Sequence, residues 1–216
     1  MNSYIPSLGD AQTFVFADLA GFTALTEAHG DGLAADLASS FCARVKDVAR
    51  EHLSSVIKSI GDAVMIRCPK PWEAVGLALH ILDEEHGRSD FLGVRVGMHT
   101  GTAVQRDSDW YGAGVNVAAR VAAIARGGEI LATDATRRAS QAPENVDFQH
   151  LGSRKLKNLM EPVDLFRLVR RGAVYGALEI DPVCRMTVHL APMSGHSSTV
   201  GVSFDFAPWS VRPSSP

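Results

Sequence analysis

Two β-rich runs around a glycine-aspartate pair constrain this chain most. Ser55-Val56-Ile57-Lys58-Ser59-Ile60 and Ala63-Val64-Met65-Ile66 flank Gly61-Asp62, a pattern that reads as a β-hairpin with a two-residue turn. Helical stripes lie on both sides of it. From Leu33, apolar residues recur at Leu37, Phe41, Val45 and Val48, so one helical face meets a core. Pro69 and Pro71 open a second helix with its stripe at Val75, Leu79 and Leu82. Thr13-Phe14-Val15-Phe16-Ala17 is a short buried strand stopping at Asp18. Strands are also expected over Phe91–Met98, Thr102–Gln105, Glu129–Ala132, Val146–His150 and Val163–Val169, and helices over Val115–Ala125 and near Thr133–Ser140. Strands and helices in equal measure, with hairpins, predict an α+β or mixed α/β arrangement of helices on a sheet.

The composition supports one domain with a tail. Of 216 residues, 46% are hydrophobic and 21% charged, enough to bury a core. The net charge of −3 supplies no global basic field, so no nucleic-acid partner is expected. No stretch reaches the roughly 20 apolar residues of a membrane span, and Met1–Asp10 shows neither the basic nor the apolar region of a secretory signal. Cys42, Cys68 and Cys184 are too few for a disulfide framework, and a reduced, cytoplasmic protein is expected. Residues 172–216 hold five charged residues, five of the ten prolines and seven serines. The folded unit is therefore expected over residues 11–171, after a lead of residues 1–10, with a poorly ordered tail at 172–216.

Three segments carry chemistry: Phe16-Ala17-Asp18-Leu19-Ala20-Gly21-Phe22-Thr23, Lys58-Ser59-Ile60-Gly61-Asp62, and Asp109-Trp110-Tyr111-Gly112-Ala113-Gly114-Val115-Asn116-Val117-Ala118-Ala119-Arg120. Asp18 ends a buried strand and Asp62 sits at a hairpin tip. Carboxylates on neighbouring strand ends suit Mg²⁺, which takes a few carboxylates plus waters and substrate phosphates. Asn116 and Arg120, four apart, share one helical face. An arginine aimed at a phosphoryl group stabilises transition-state charge.

In this order the three segments resemble the catalytic domain of class III nucleotidyl cyclases, over about residues 11–170. The resemblance implies a central, mostly antiparallel sheet flanked by helices, with a ferredoxin-like, palm-like core. It implies two Mg²⁺ or Mn²⁺ ions per site, held by Asp18 and Asp62 with the backbone carbonyl of Leu19. Lys58 and Asp109 match the pair that reads adenine, the lysine donating to N1 and the aspartate accepting from the N6 amino group. Asn116 would orient the ribose, Arg120 would stabilise the α-phosphate, and Lys157 would contact the triphosphate, although Asn158 stands where the family carries glycine. The adenine-reading pair implies ATP as substrate, and because the site is shared between chains in this family, a homodimer follows. The expected reaction is attack of the ribose 3′-hydroxyl on the α-phosphorus, giving cyclic AMP and pyrophosphate.

Taken singly, each of these residues has a plainer reading. A lone strand-end aspartate is usually a turn residue, and Arg154-Lys155-Leu156-Lys157 is by default a solvated basic loop. Trp110 and Tyr111 either wall a base pocket or pack on the core. His99 is read as structural and Cys42 as a buried small hydrophobe. The alternatives are a guanylate or relaxed-specificity cyclase, a catalytically silent nucleotide-binding module, and a diguanylate cyclase; the last lacks its Gly-Gly-Glu-Glu-type hairpin here. Residues 180–188 resemble the opening of a YHS-type metal-binding domain, truncated and with Arg185 in place of the glycine.

Overall fold

Strand β1 (Gln12–Leu19) is the centre of the architecture. It is flanked antiparallel by β3 (Ala63–Cys68) and β4 (Val94–Gly101). Its alternating residues feed two cores, Val15, Ala17 and Leu19 on one face and Phe14 and Phe16 on the other. The computed structural model describes residues 11–86, 92–141, 143–172, 179–180 and 187–188. Seven strands form one sheet in the order β2-β3-β1-β4-β7-β9-β8. The remaining strands are β2 (Ser55–Ile60), β7 (Ile130–Thr133), β8 (Val146–Arg154) and β9 (Val163–Arg170). Only β4 and β7 run parallel, so the α+β, mostly antiparallel fold expected from the sequence is the one observed.

Helices α1 (Phe22–Glu51) and α2 (Pro71–His86) cover one face, where Phe41, Val45, Leu77 and Ile81 pack against Val15, Ile66 and Val96. Helix α1 begins at Phe22 rather than near Leu33. Its first segment buries fully only Leu25, and Gly30 breaks the helical geometry at φ 84°, which hides the periodicity before Leu33. Helix α3 (Ala113–Ile124) covers the other face. It lies so close to β4 that a Cβ on Gly97 would stand 2.0 Å from the backbone nitrogen of Ala122. A short α4 (Asp134–Ser140) follows β7.

A two-stranded ladder of β5 (Val104–Arg106) and β6 (Asp109–Tyr111) precedes α3. The strand expected over Thr102–Gln105 starts instead at Val104, and no strand was expected at Asp109–Tyr111. In the fold, Asp107 turns the chain in the left-handed region at φ 54°, and Asp109–Tyr111 becomes a strand. Beyond the sheet, β10 (Glu179–Ile180) pairs with β11 (Thr187–Val188). Cys184 and residues 189–216 lie outside the described residues. Among the described residues no helix is long and apolar enough to cross a membrane.

Candidate active site

The ladder through β1 gathers the first cluster. Asp18 lies opposite Ala63 on β3 and Arg95 on β4, and Asp62 closes the β2–β3 hairpin immediately before Ala63. Gly61 at φ 61° occupies the first position of that turn, a conformation glycine adopts without steric cost. Both carboxylates are half-buried. Burial, reinforced by the facing Asp18 carboxylate, raises the Asp62 pKa to about 6. Arg95 supplies the counter-charge: its Nε donates to Asp18 Oδ2 at 2.8 Å and its terminal guanidinium nitrogen donates to the same oxygen. Leu19, the next residue, is buried in the core at 1% exposure.

Arg95 is the residue that sequence reasoning missed. Its signal was its place on β4, whose register opposite β1 the sequence does not reveal. It lines a cleft of about 340 Å³ with Ala20, Gly21 and Arg126. Beside that cleft Gly21 is the N-cap of α1, which has no side-chain cap and no acidic residue in its first turn. Its free N–H groups and positive dipole end therefore favour an anion.

The second cluster joins β2 to β6. Lys58 Nζ donates to Asp109 Oδ2 at 2.6 Å. The Trp110 N–H donates to Asp109 Oδ1 at 2.8 Å. These donors, the Lys58 ammonium first, hold the Asp109 carboxyl below the usual carboxylate range. Trp110 packs on the core, its ring 5.7 Å from Phe14 and under the Arg67 guanidinium at 5.0 Å. Tyr111 is 55% exposed, with Lys58 Nζ 5.8 Å from its ring centre.

Among the described residues the other candidates make no hydrogen bond or ion pair with either cluster. On α3, Asn116 is exposed and Arg120 half-buried; among the described residues neither side chain makes a hydrogen bond or ion pair. Lys157 is exposed on the β8–β9 connection. The next residue, Asn158, adopts φ 61°, a left-handed conformation that asparagine tolerates best after glycine. The backbone shape that a glycine would supply is thus retained.

His99, Cys42 and Cys68 lie in or against the core. Burial pushes the His99 pKa down to about 4, and Nδ1 lies 2.8 Å from Thr133 Oγ1. Cys42 and Cys68 are buried free thiols, and burial drives Cys68 up to about 12.

The model of the adenylate and guanylate cyclase catalytic domain matches residues 7–168. This chain belongs to the class III nucleotidyl cyclase family. It is 40% identical over 167 residues to a pH-sensitive adenylate cyclase of Mycobacterium tuberculosis, covering 74% of this chain and 41% of that protein. It is 27% identical over 221 residues to a receptor-type adenylate cyclase of Trypanosoma congolense, covering 80% and 30%. This cyclase chain therefore spans well under half the length of these curated relatives. Among solved structures it resembles an adenylate cyclase from Trypanosoma brucei analysed in its monomeric state, with TM-score 0.67, 26% identity, and 79% and 93% of the two chains covered. The adenylyl cyclase CyaB of P. aeruginosa shares the fold, with TM-score 0.64, 21% identity, and 77% and 97% covered.

Proposed function

We propose that the chain converts ATP to 3′,5′-cyclic AMP and pyrophosphate, at sites shared between two copies of itself. The observation that carries this reading is the Lys58–Asp109 pair at 2.6 Å. An ammonium donor beside a carboxylate acceptor complements the N1 acceptor and N6 donor of adenine. Guanine offers the reverse polarity and would leave both groups mispaired.

Asp18 and Asp62 are hard oxygen donors that fit Mg²⁺ or Mn²⁺. Among the described residues no third carboxylate, histidine or cysteine joins them. The Leu19 carbonyl, water and the phosphates of the substrate would complete the coordination. Two such ions, held by Asp18 and Asp62, would lower the pKa of the 3′-hydroxyl and offset charge on the triphosphate. Arg95 and the uncapped start of α1 receive phosphate oxygens at the cleft. Arg120, with no ion partner among the described residues, directs its charge to the α-phosphate, and Asn116 orients the ribose. Lys157 reaches the triphosphate from the β8–β9 connection. Membership of the family supports a homodimer in which each site draws Asp18 and Asp62 from one chain and Lys58, Asp109, Asn116, Arg120 and Lys157 from the other. Buried free thiols at Cys42 and Cys68 suit a reducing cytoplasm.

The test is incubation of purified protein with ATP or GTP and Mn²⁺ or Mg²⁺, with cyclic nucleotides quantified by chromatography. Cyclic AMP in large excess over cyclic GMP is expected. Equal yields from both nucleotides would overturn the adenine reading, and no product from folded dimer would overturn the catalytic one.

A further inference from the structure

Asp109 stands on a support that is weak by itself. Strands β5 and β6 have three residues each and form a sheet of their own, and β5 is exposed along its whole length. A lone two-stranded ladder is marginal in water, so the carboxylate needs a further anchor. Trp110 supplies it. Its ring packs against the core cluster of Phe14, Met65, Ala103 and Ala118, and its N–H donates to Asp109 Oδ1 at 2.8 Å. Two side chains hold the ring. Phe14 stands 5.7 Å away at a tilt of 56°, and the Arg67 guanidinium lies over the indole at 5.0 Å. Phe14 and Arg67 are opposite each other on β1 and β3, so both rise from one face of the sheet. Gln12 fixes the guanidinium, accepting from Arg67 Nε at 2.9 Å. The same strand sets the Lys58 half of the pair. A bulge between Val56 and Lys58 brings Lys58 opposite Met65, whereas an unbroken register from Val56–Ile66 would put it opposite Val64, in the other core.

We propose that Arg67 is a positioning residue for purine selection: clamped on Trp110, it holds β6 so that the Asp109 carboxylate stays aimed at the amino group of adenine. Arg67 acts through the indole and not on the nucleotide. Its guanidinium is attracted to the ring face. Without it the ring keeps Phe14 but loses its second support, and the Trp110 N–H and Asp109 move with the ring. A displaced carboxylate loses the directional hydrogen bond from an amino group. A guanine nucleotide presents a carbonyl oxygen there and has no such bond to lose. Preference for adenine therefore falls, while Asp18 and Asp62 at the metal-binding end keep their places. This inference rests on the reading of Lys58 and Asp109 as the purine-recognising pair.

The test is Arg67→Met in the full-length chain, which keeps an aliphatic stem on the indole and removes the guanidinium. Binding of 3′-deoxy-ATP and 3′-deoxy-GTP, which cannot cyclise, is measured by calorimetry with Mn²⁺. Loss of one cation–π clamp is expected to weaken 3′-deoxy-ATP about fivefold, with 3′-deoxy-GTP unchanged. In turnover the effect falls on KM for ATP and not on kcat. Arg67→Lys, which returns a cation to the ring, is expected to recover part of the loss. Trp110→Leu should weaken 3′-deoxy-ATP as well, and adding Arg67→Met to it should cost nothing further, because both act through one ring. Equal weakening of the two nucleotides, full additivity of the two substitutions, or no change in a variant of unchanged Tm overturns the inference. Lys58→Ala and Asp109→Ala separate the two levels. If they change the ratio of ATP to GTP affinity and Arg67→Met does not, only the role of Arg67 falls. If they leave the ratio untouched, the purine-reading pair falls and the inference with it.

Discussion

Asp62 carries an electrostatic cost that a cation relieves. Its pKa is raised to about 6 by burial and by the Asp18 carboxylate, from an ordinary value of 3.8. The folded state therefore binds the proton more tightly than the unfolded chain does, and stability falls as pH rises through the window from about 4 to 6. Above that window Asp62 is ionised at full cost, and a divalent ion offsets it. Mn²⁺ is thus expected to raise Tm more at pH 8 than at pH 5. Asp62→Asn is expected to abolish the metal-dependent rise and to raise the metal-free Tm at pH 8. Equal metal-induced shifts at the two pH values would refute this account. The carboxylates themselves were legible, because Asp18 ends an apolar run and Asp62 follows Gly61 in a turn pattern. Arg95 was not, because pairing Arg95 with Asp18 takes a β1–β4 register spanning 77 residues of sequence.

At the scale of elements, α3 is positioned by a single glycine. Any side chain at Gly97 would overlap the Ala122 backbone, with a Cβ 2.0 Å from its nitrogen. Backbone on both sides leaves no flexible group to yield. Gly97→Ala is expected to push α3 off β4, costing about 3 kcal/mol or more of stability. Because α3 carries Asn116 and Arg120, activity should fall below what the remaining folded fraction accounts for. Denaturant unfolding alongside turnover would check both effects, and a variant with wild-type stability would refute the packing argument. Helix α3 was legible to within two residues, since small and apolar residues recur there at helical spacing. Strand β6 was not. Three residues that include Asp109 give no alternation to read, and only pairing with β5 and the turn at Asp107 make them a strand.

The whole molecule is expected to work as a pair. Asp18→Ala and Arg120→Ala should each abolish turnover, by at least a hundredfold given the size of such electrostatic contributions. If a site draws Asp18 from one chain and Arg120 from the other, mixing the two variants restores one intact site per heterodimer. Recovery of about a quarter of wild-type activity is expected, half of the molecules being heterodimers with one of two sites complete. No recovery, despite subunit exchange shown by mass spectrometry, would overturn the shared site. The sequence by itself determined the fold class, the order of most elements and the three segments that identify the family. Those properties are local, set by side-chain period, turn residues and residue types at short spacing. Only the tertiary structure decided that Arg95 neutralises Asp18, that Lys58 and Asp109 meet at 2.6 Å, and that Gly97 seats α3. Each of these joins strands or helices far apart in the chain. Contacts of that kind arise from sheet register and backbone approach, which no short run of residues encodes.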